Sequence, residues 1–154
     1  TARPEQWLSL DGQAVAQLRS NFGGKRALLA EDNPINQLVA SELLRMVGLE
    51  VDVAGNGVQA VSMAESQNYD IVLLDVQMPE MDGLSVARRL RASLNRHLPI
   101  IAMTANVLDQ EQQDCIDAGM DDHVAKPVSA ETLYHSLLRW LPAIEAAGNP
   151  ARPI

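Results

Sequence analysis

From residue 26 onward, short apolar runs alternate with stretches whose apolar residues recur at helical spacing. That alternation limits the fold to βα units wrapped around a parallel sheet. Five units are legible. The first strand spans 27–30, and the helix after it opens on Asn33 as N-cap with Pro34 at the first helical position. Ile35, Leu38, Val39, Leu43 and Met46 recur at helical spacing and are expected to form one buried stripe. Gly48 supplies a left-handed terminator, which ends this helix near residue 47. The second unit has a strand at 49–54, whose alternation suggests a sheet edge, and a helix at 57–66 with Ala60, Val61 and Ala64 facing inward. Ile71-Val72-Leu73-Leu74-Asp75 is a continuous apolar run closed by a carboxylate, as expected of a central strand covered on both faces. A loop at 78–83 leads into a helix carrying Leu84, Ala87, Leu90 and Leu94, and 99–103 makes the fourth strand with Thr104 directly after it. The fourth helix is polar over 109–114, with a narrow apolar face of Leu108, Cys115 and Ile116, so it should be comparatively exposed. A short strand at 122–125 precedes Lys126-Pro127. Ser129 then caps a last helix carrying Leu133, Leu137, Trp140 and Leu141, which Pro142 is expected to stop.

A chain of 154 residues can bury one core but not two full-sized ones. The expectation is a single domain over 25–142, an N-terminal linker over 1–24 with only a weak helical stripe (Val15, Leu18, Phe22), and a tail over 143–154 rich in Ala, Pro and Gly. The formal net charge of -8 argues against a nucleic-acid surface, which needs clustered Lys and Arg. Cys115 is the one cysteine and has no intrachain partner, and neither a signal peptide nor a long apolar segment is visible. The domain is therefore expected to be cytoplasmic, without direct membrane contact. The first residue, Thr1, leaves open a longer and membrane-anchored parent.

In open parallel α/β sheets, ligands bind outside the carboxyl ends of the strands, where the strand order reverses. The polar residues of interest all fall there: Glu31 and Asp32 after strand one, Asp75 after strand three, Thr104 after strand four and Lys126 after strand five. In the flavodoxin-like (βα)5 order 2-1-3-4-5, strands one and three are neighbours, so three carboxylates converge. Two carboxylates about 4 Å apart repel by about 4 kcal/mol at an effective dielectric of about 20, so the cluster calls for a hard divalent cation. Mg²⁺, or Mn²⁺ in its place, binds through one or two carboxylates and keeps positions for phosphoryl oxygens. Asp75 can then be both ligand and nucleophile, because aspartyl phosphates are established covalent intermediates. Phosphoryl transfer asks mainly for positioning and for neutralisation of the equatorial oxygens, which Lys126 and the Thr104 hydroxyl suit.

Leu29-Ala30-Glu31-Asp32-Asn33, Leu74-Asp75-Val76-Gln77-Met78-Pro79-Glu80-Met81-Asp82-Gly83, Met103-Thr104-Ala105 and Ala125-Lys126-Pro127 resemble the receiver domains of two-component response regulators, and the likeness runs over 26–141. The resemblance implies that Glu31, Asp32, Asp75 and the backbone carbonyl of Gln77 hold Mg²⁺. It makes Asp75 the phosphoacceptor, Thr104 the switch hydroxyl and Lys126 the partner of a phosphoryl oxygen. It also places Pro127 after a cis peptide and sets Gln77 and Asn106 beside the attacking water, where they tune dephosphorylation. One position departs from the family: His123 stands where many receivers carry Tyr or Phe, so the usual aromatic readout on strand five is in question.

Plainer readings stand beside these. Glu31-Asp32 can serve as turn and cap chemistry before Pro34, Lys126 as a solvated loop lysine and His123 as an edge-strand residue. Cys115 reads as a small core hydrophobe, Met78 and Met81 as turn packing, and His97 and His135 as surface residues. Aspartate-dependent phosphohydrolases resemble one another in a second Asp two positions after the nucleophile, where this chain has Gln77. A degenerate interaction module would lack one of the five key side chains, and all are present. Among receivers, Asn33-Pro34-Ile35-Asn36-Gln37 and Asp75-Val76-Gln77-Met78-Pro79 look most like those of hybrid sensor histidine kinases, with a free-standing response regulator as the alternative. The implied partner is a histidine kinase or histidine phosphotransfer domain. The face made by the fourth helix, fifth strand and fifth helix is the expected output surface and an expected homodimer contact.

Overall fold

The computed structural model describes residues 16, 18, 20, 22–78, 81–94, 98–105, 109–126 and 128–148. Five strands and five helices alternate: β1 (Arg26–Ala30), α1 (Pro34–Met46), β2 (Glu50–Ala54), α2 (Gly57–Ser66), β3 (Ile71–Asp75), α3 (Gly83–Ser93), β4 (Ile100–Thr104), α4 (Asp109–Asp117), β5 (Asp122–Ala125) and α5 (Ala130–Gly148). All pairings are parallel and the order is β2-β1-β3-β4-β5, the flavodoxin-like arrangement. β2 lies at an edge and β3 is buried along its whole length, as their sequence patterns require.

Because successive strand side chains point to opposite faces, the sheet makes two cores. Leu28, Val72, Leu74, Ile100 and Ala102 pack with Ala60 and Ala64 of α2, Val86 and Leu90 of α3, and Cys115 of α4. Ala27, Leu29, Ile71, Leu73, Ile101 and Val124 pack on the other face with Ala40 and Leu44 of α1 and with Leu133, Tyr134 and Leu137 of α5. Leu18 and Phe22, from the stretch expected as a linker, are buried in this second core. No helix among the described residues is long and apolar enough to cross a membrane.

Two helices differ from their sequence reading. Most of the stripe expected to be buried on α1 faces outward: Ile35 is 72% exposed, Leu38 61%, Met46 51% and Val39 42%, while Leu43 packs half-buried against the second core. The buried face consists of Ala40, Ser41 and Leu44, continued by Val47. Apolar residues surround most of this helix, and the sheet takes the side whose small Ala40 and Ser41 allow close approach. Burying Ser41 costs little, because its hydroxyl donates to the Gln37 carbonyl. The last helix also continues through Pro142 to Gly148. Proline gives up one ladder bond, but Ala143, Ile144, Glu145, Ala146 and Ala147 after it contain mostly strong helix formers. Its start matches expectation, since Ser129 Oγ accepts the Thr132 N–H at 3.3 Å. On α4, Cys115 is buried and Ile116 is exposed, while Leu108 lies outside the described residues. α5 is pinned to β5 through Asp122, which accepts from Ser136 Oγ and Trp140 Nε1, each at 2.9 Å.

At the amino edge, Asp52 Oδ2 accepts from both Arg26 and the Tyr69 hydroxyl at 2.7 Å, and the Arg26 guanidinium lies 4.9 Å from the Tyr69 ring centroid. Burial, followed by the hydrogen bond to Asp52, pushes the Tyr69 hydroxyl up to about 12. A phenol whose folded pKa is raised contributes stability that is complete below its ordinary value of 10.0 and is lost as pH climbs through about 12. Tyr69→Phe is expected to cost about 1 kcal/mol near neutrality. In denaturant titrations it should also lack much of the parent's decline across that alkaline window. Parallel declines in the two proteins would refute the assignment.

Candidate functional site

The carboxyl edge of the sheet is assembled by short, well-capped turns. Between β1 and α1, Asn33 Oδ1 accepts the N–H groups of Ile35 and Asn36 at 2.9 and 3.1 Å, which fixes the helix entry one residue after Asp32. Between β3 and α3, Asp82 caps the helix by accepting the Ser85 N–H at 2.8 Å, and the Gly83 N–H donates to the Val76 carbonyl at 2.9 Å. β4 and β5 reach the same edge, joined by the Lys126 N–H to Thr104 carbonyl bond at 2.7 Å.

These turns bring together what the sequence placed at separate strand ends. Ligand oxygens of Glu31, Asp32 and Asp75 all lie within 4.8 Å of one another. Glu31 and Asp75 are buried and Asp32 is exposed, so the cluster opens to solvent on one side. Asp75 Oδ1 accepts the Gln77 N–H at 3.0 Å, and Asp75 Oδ2 accepts from Lys126 Nζ at 3.0 Å. The same ammonium is 3.7 Å from Glu31 Oε2. Thr104 is buried at the end of β4.

Burial is the main cause of a raised Glu31 pKa, and the negative charge of Asp75 adds to it, while the Asn33 N–H bond and Lys126 act the other way. One lysine does not neutralise three carboxylates, and two buried oxygen atoms have no hydrogen-bond partner among the described residues: Glu31 Oε2 and Thr104 Oγ1. An all-oxygen donor set of this charge, with one ligand exposed to water, fits Mg²⁺. An open groove of about 610 Å³ lined by Asp32, Val76, Gln77, Met78, Asp82 and Leu84 leads to it.

Not every expected residue falls here. Asn106 and Pro127 lie outside the described residues. His123 is half-buried on β5, opposite Ala102, and lines a separate groove of about 240 Å³ with Glu131, Thr132 and His135 of α5. Two supporting residues escaped the sequence reading: Gln37 Nε2 donates to the Glu31 carbonyl at 2.6 Å, and Asn36 Nδ2 reaches Glu31 Oε1 at 3.5 Å. Their position in the first turn of α1, directly after the acidic pair, was the available signal.

A doubly wound α/β domain with a divalent-cation site at its topological switch point is the class that this geometry defines. The chain belongs to the response regulator receiver domain family, whose profile matches residues 27–138. It is 38% identical over 130 residues to the sensor protein GacS of Pseudomonas syringae pv. syringae, a match covering 82% of this chain and 14% of that protein. The chain therefore spans about a seventh of the length of that relative. Among solved structures it is similar to the receiver domain of the sensor histidine kinase PA1611 from Pseudomonas aeruginosa PAO1, which holds a magnesium ion in its active-site cleft. The TM-score is 0.73 and the identity 45%, over 78% of this chain and 99% of that one. The receiver domain of Ssk1, solved in complex with the histidine phosphotransfer protein Ypd1 of Saccharomyces cerevisiae, is 25% identical with a TM-score of 0.71, over 77% and 90% of the two chains.

Proposed function

We propose that this domain accepts a phosphoryl group from a phosphohistidine onto the Asp75 carboxylate, as one station of a phosphorelay. The observation that carries the reading is the placement of Asp75: a buried carboxylate with one oxygen on Lys126 and the other on a backbone N–H, inside a carboxylate cluster that needs a cation. In the transfer, the P–N bond of the phosphoimidazole breaks, a P–O bond to Asp75 forms, and the imidazole leaves with the electron pair. Glu31, Asp32, Asp75 and the Gln77 carbonyl would hold Mg²⁺, which would supply positive charge to the phosphoryl oxygens. Lys126 releases the Asp75 oxygen and pairs with a phosphoryl oxygen in its place. Thr104 turns its unpartnered hydroxyl to another. By the receiver resemblance, Gln77 and Asn106 tune the later hydrolysis of the acyl phosphate.

The outward stripe on α1 supports a helical partner. Ile35 and Val39 line a cavity of about 130 Å³ together with Glu31 and Lys126, so the apolar surface is continuous with the site. A histidine-bearing helix laid on that stripe presents its imidazole to Asp75. The sensor-kinase relatives support a receiver within a hybrid sensor histidine kinase, and the Ypd1–Ssk1 complex supports a histidine phosphotransfer domain as its phosphoryl partner. The α4–β5–α5 face is left as the output and homodimer surface.

Incubation with acetyl phosphate and Mg²⁺ is expected to add one phosphoryl group by intact-mass spectrometry, and chelation of the metal to prevent it. Labelling that persists without a divalent cation would refute the metal-dependent reading.

A further inference from the structure

The loop that carries the Gln77 carbonyl is gripped from two sides by glycines. At one end, a Cβ on Gly83 would stand 2.8 Å from Val76 Cα and 3.0 Å from the Asp75 carbonyl carbon, and nearer still to the Asp75 carbonyl oxygen. At the other end the contact comes from a different element. A Cβ on Gly57, the first residue of α2, would stand 2.8 Å from the carbonyl carbon and Cβ of Met81 and nearer still to the Met81 carbonyl oxygen. These neighbours are mostly backbone atoms and cannot swing away as the tip of a side chain can.

Gly57 is not among the glycines with positive φ, so its backbone conformation does not demand glycine; the closeness of Met81 does. The α2 entry is also fixed on its own side. Asn56 Oδ1 accepts the Gln59 N–H at 2.8 Å, Gln59 Oε1 accepts the Gly55 N–H at 2.7 Å, and Gly57 is itself buried. The helix end is therefore a fixed wall against which the loop is pressed.

We propose that Gly57 is a positioning residue for the cation and phosphoryl site: by letting the Met81 backbone close onto α2, it fixes the 81–83 end of the loop, and Gly83, in contact with Asp75 and Val76, passes that position to the Asp75 carboxylate and the Gln77 carbonyl. The proposal rests on the metal reading given above and extends it to a residue of α2 that supplies no ligand. Alanine favours a helix more than glycine does, so a loss on Gly57→Ala has to arise in the loop and not in α2.

Mg²⁺ titration by calorimetry on the full chain, at a temperature where every variant is folded, tests this. Gly57→Ala is expected to weaken Mg²⁺ binding about tenfold or more, the size produced by removing support from outside the ligand shell. Gly55→Ala, where the added Cβ meets only the Gln59 side chain at 3.6 Å, is the control and should bind as the parent does. Should Gly57→Ala fail to fold, Met81→Gly loosens the same contact from the loop side and is expected to weaken binding too. Unchanged affinity in Gly57→Ala, or in Met81→Gly if that variant must stand in, overturns the proposal, as does equal weakening in Gly55→Ala. A parent chain that binds no Mg²⁺ would instead overturn the functional reading on which the proposal rests.

Discussion

Asp75→Asn is expected to gain no phosphoryl group from acetyl phosphate under conditions that label the parent fully, and to melt at a higher temperature than the parent in metal-free buffer. The first outcome follows because an amide lacks the anionic oxygen that attacks phosphorus. The second follows from the electrostatics of the cluster. Three carboxylates place oxygens within 4.8 Å of one another while one ammonium pairs with Glu31 and Asp75, and these two are buried, so their repulsion is poorly screened. Asparagine keeps an acceptor for the Gln77 N–H and removes one negative charge. Lys126 loses its 3.0 Å partner but retains Glu31 at 3.7 Å, so relief of repulsion prevails. A gain of about 1 kcal/mol corresponds to roughly 4 °C for a domain of this size. Intact mass and metal-free melting decide the two halves separately. Phosphorylation of Asp75→Asn would show that another residue is the acceptor, and a lower melting temperature would show that the lysine pairing outweighs the repulsion.

Placing aspartates on the apolar stripe, as Ile35→Asp with Leu38→Asp, is expected to separate the two phosphodonors. Transfer from a phosphorylated histidine phosphotransfer protein that charges the parent should fall by about 30-fold or more, the effect of losing central apolar anchors of an interface. Labelling by acetyl phosphate should fall far less, since neither side chain contributes a ligand to the cluster. The folded state should tolerate the change, because Ile35 and Leu38 are 72% and 61% exposed. Rapid-quench transfer assays with both donors provide the check. Equal loss with both would mean that the substitutions distort the Glu31–Asn33 turn, and no loss with either would remove α1 from the docking surface.

Much of this architecture is visible before folding, because strand ends carry their own punctuation. Asp75 closes an unbroken apolar run, Thr104 follows another, and Asn33-Pro34 marks a helix entry, so the elements and the residues at their ends follow from local chemistry, while the convergence of those residues rests on the flavodoxin-like strand order. The orientation of α1 does not. With apolar residues around most of its circumference, periodicity alone selects the larger stripe, whereas packing on a sheet favours the face where Ala40 and Ser41 let the helix come close. Pro142 misleads for a related reason: a proline lowers helix propensity locally, and the run after it restores the helix. Gly57 is not recognisable from sequence at all, since it sits in an ordinary helical conformation and its requirement arises from a loop some two dozen residues downstream. What Asn36 and Gln37 do for Glu31 is only weakly signalled, by their place directly after the acidic pair, because polar residues in a first turn usually face water.

Thr104 is 1% exposed and its hydroxyl oxygen has no partner among the described residues. A buried hydroxyl left in that condition costs about 1–3 kcal/mol. Since about 1.4 kcal/mol is a tenfold population ratio, that cost raises the resting conformation by about one or two powers of ten toward any alternative in which the hydroxyl is satisfied. Under the switch role proposed for Thr104, this lowers the free energy that a phosphoryl group would have to supply to recruit the hydroxyl. The consequence is a trade between basal output and responsiveness. In that proposed role, a threonine fully bonded at rest would resist spontaneous switching more, but it would then ask the incoming phosphoryl group to break that bond as well as to make its own.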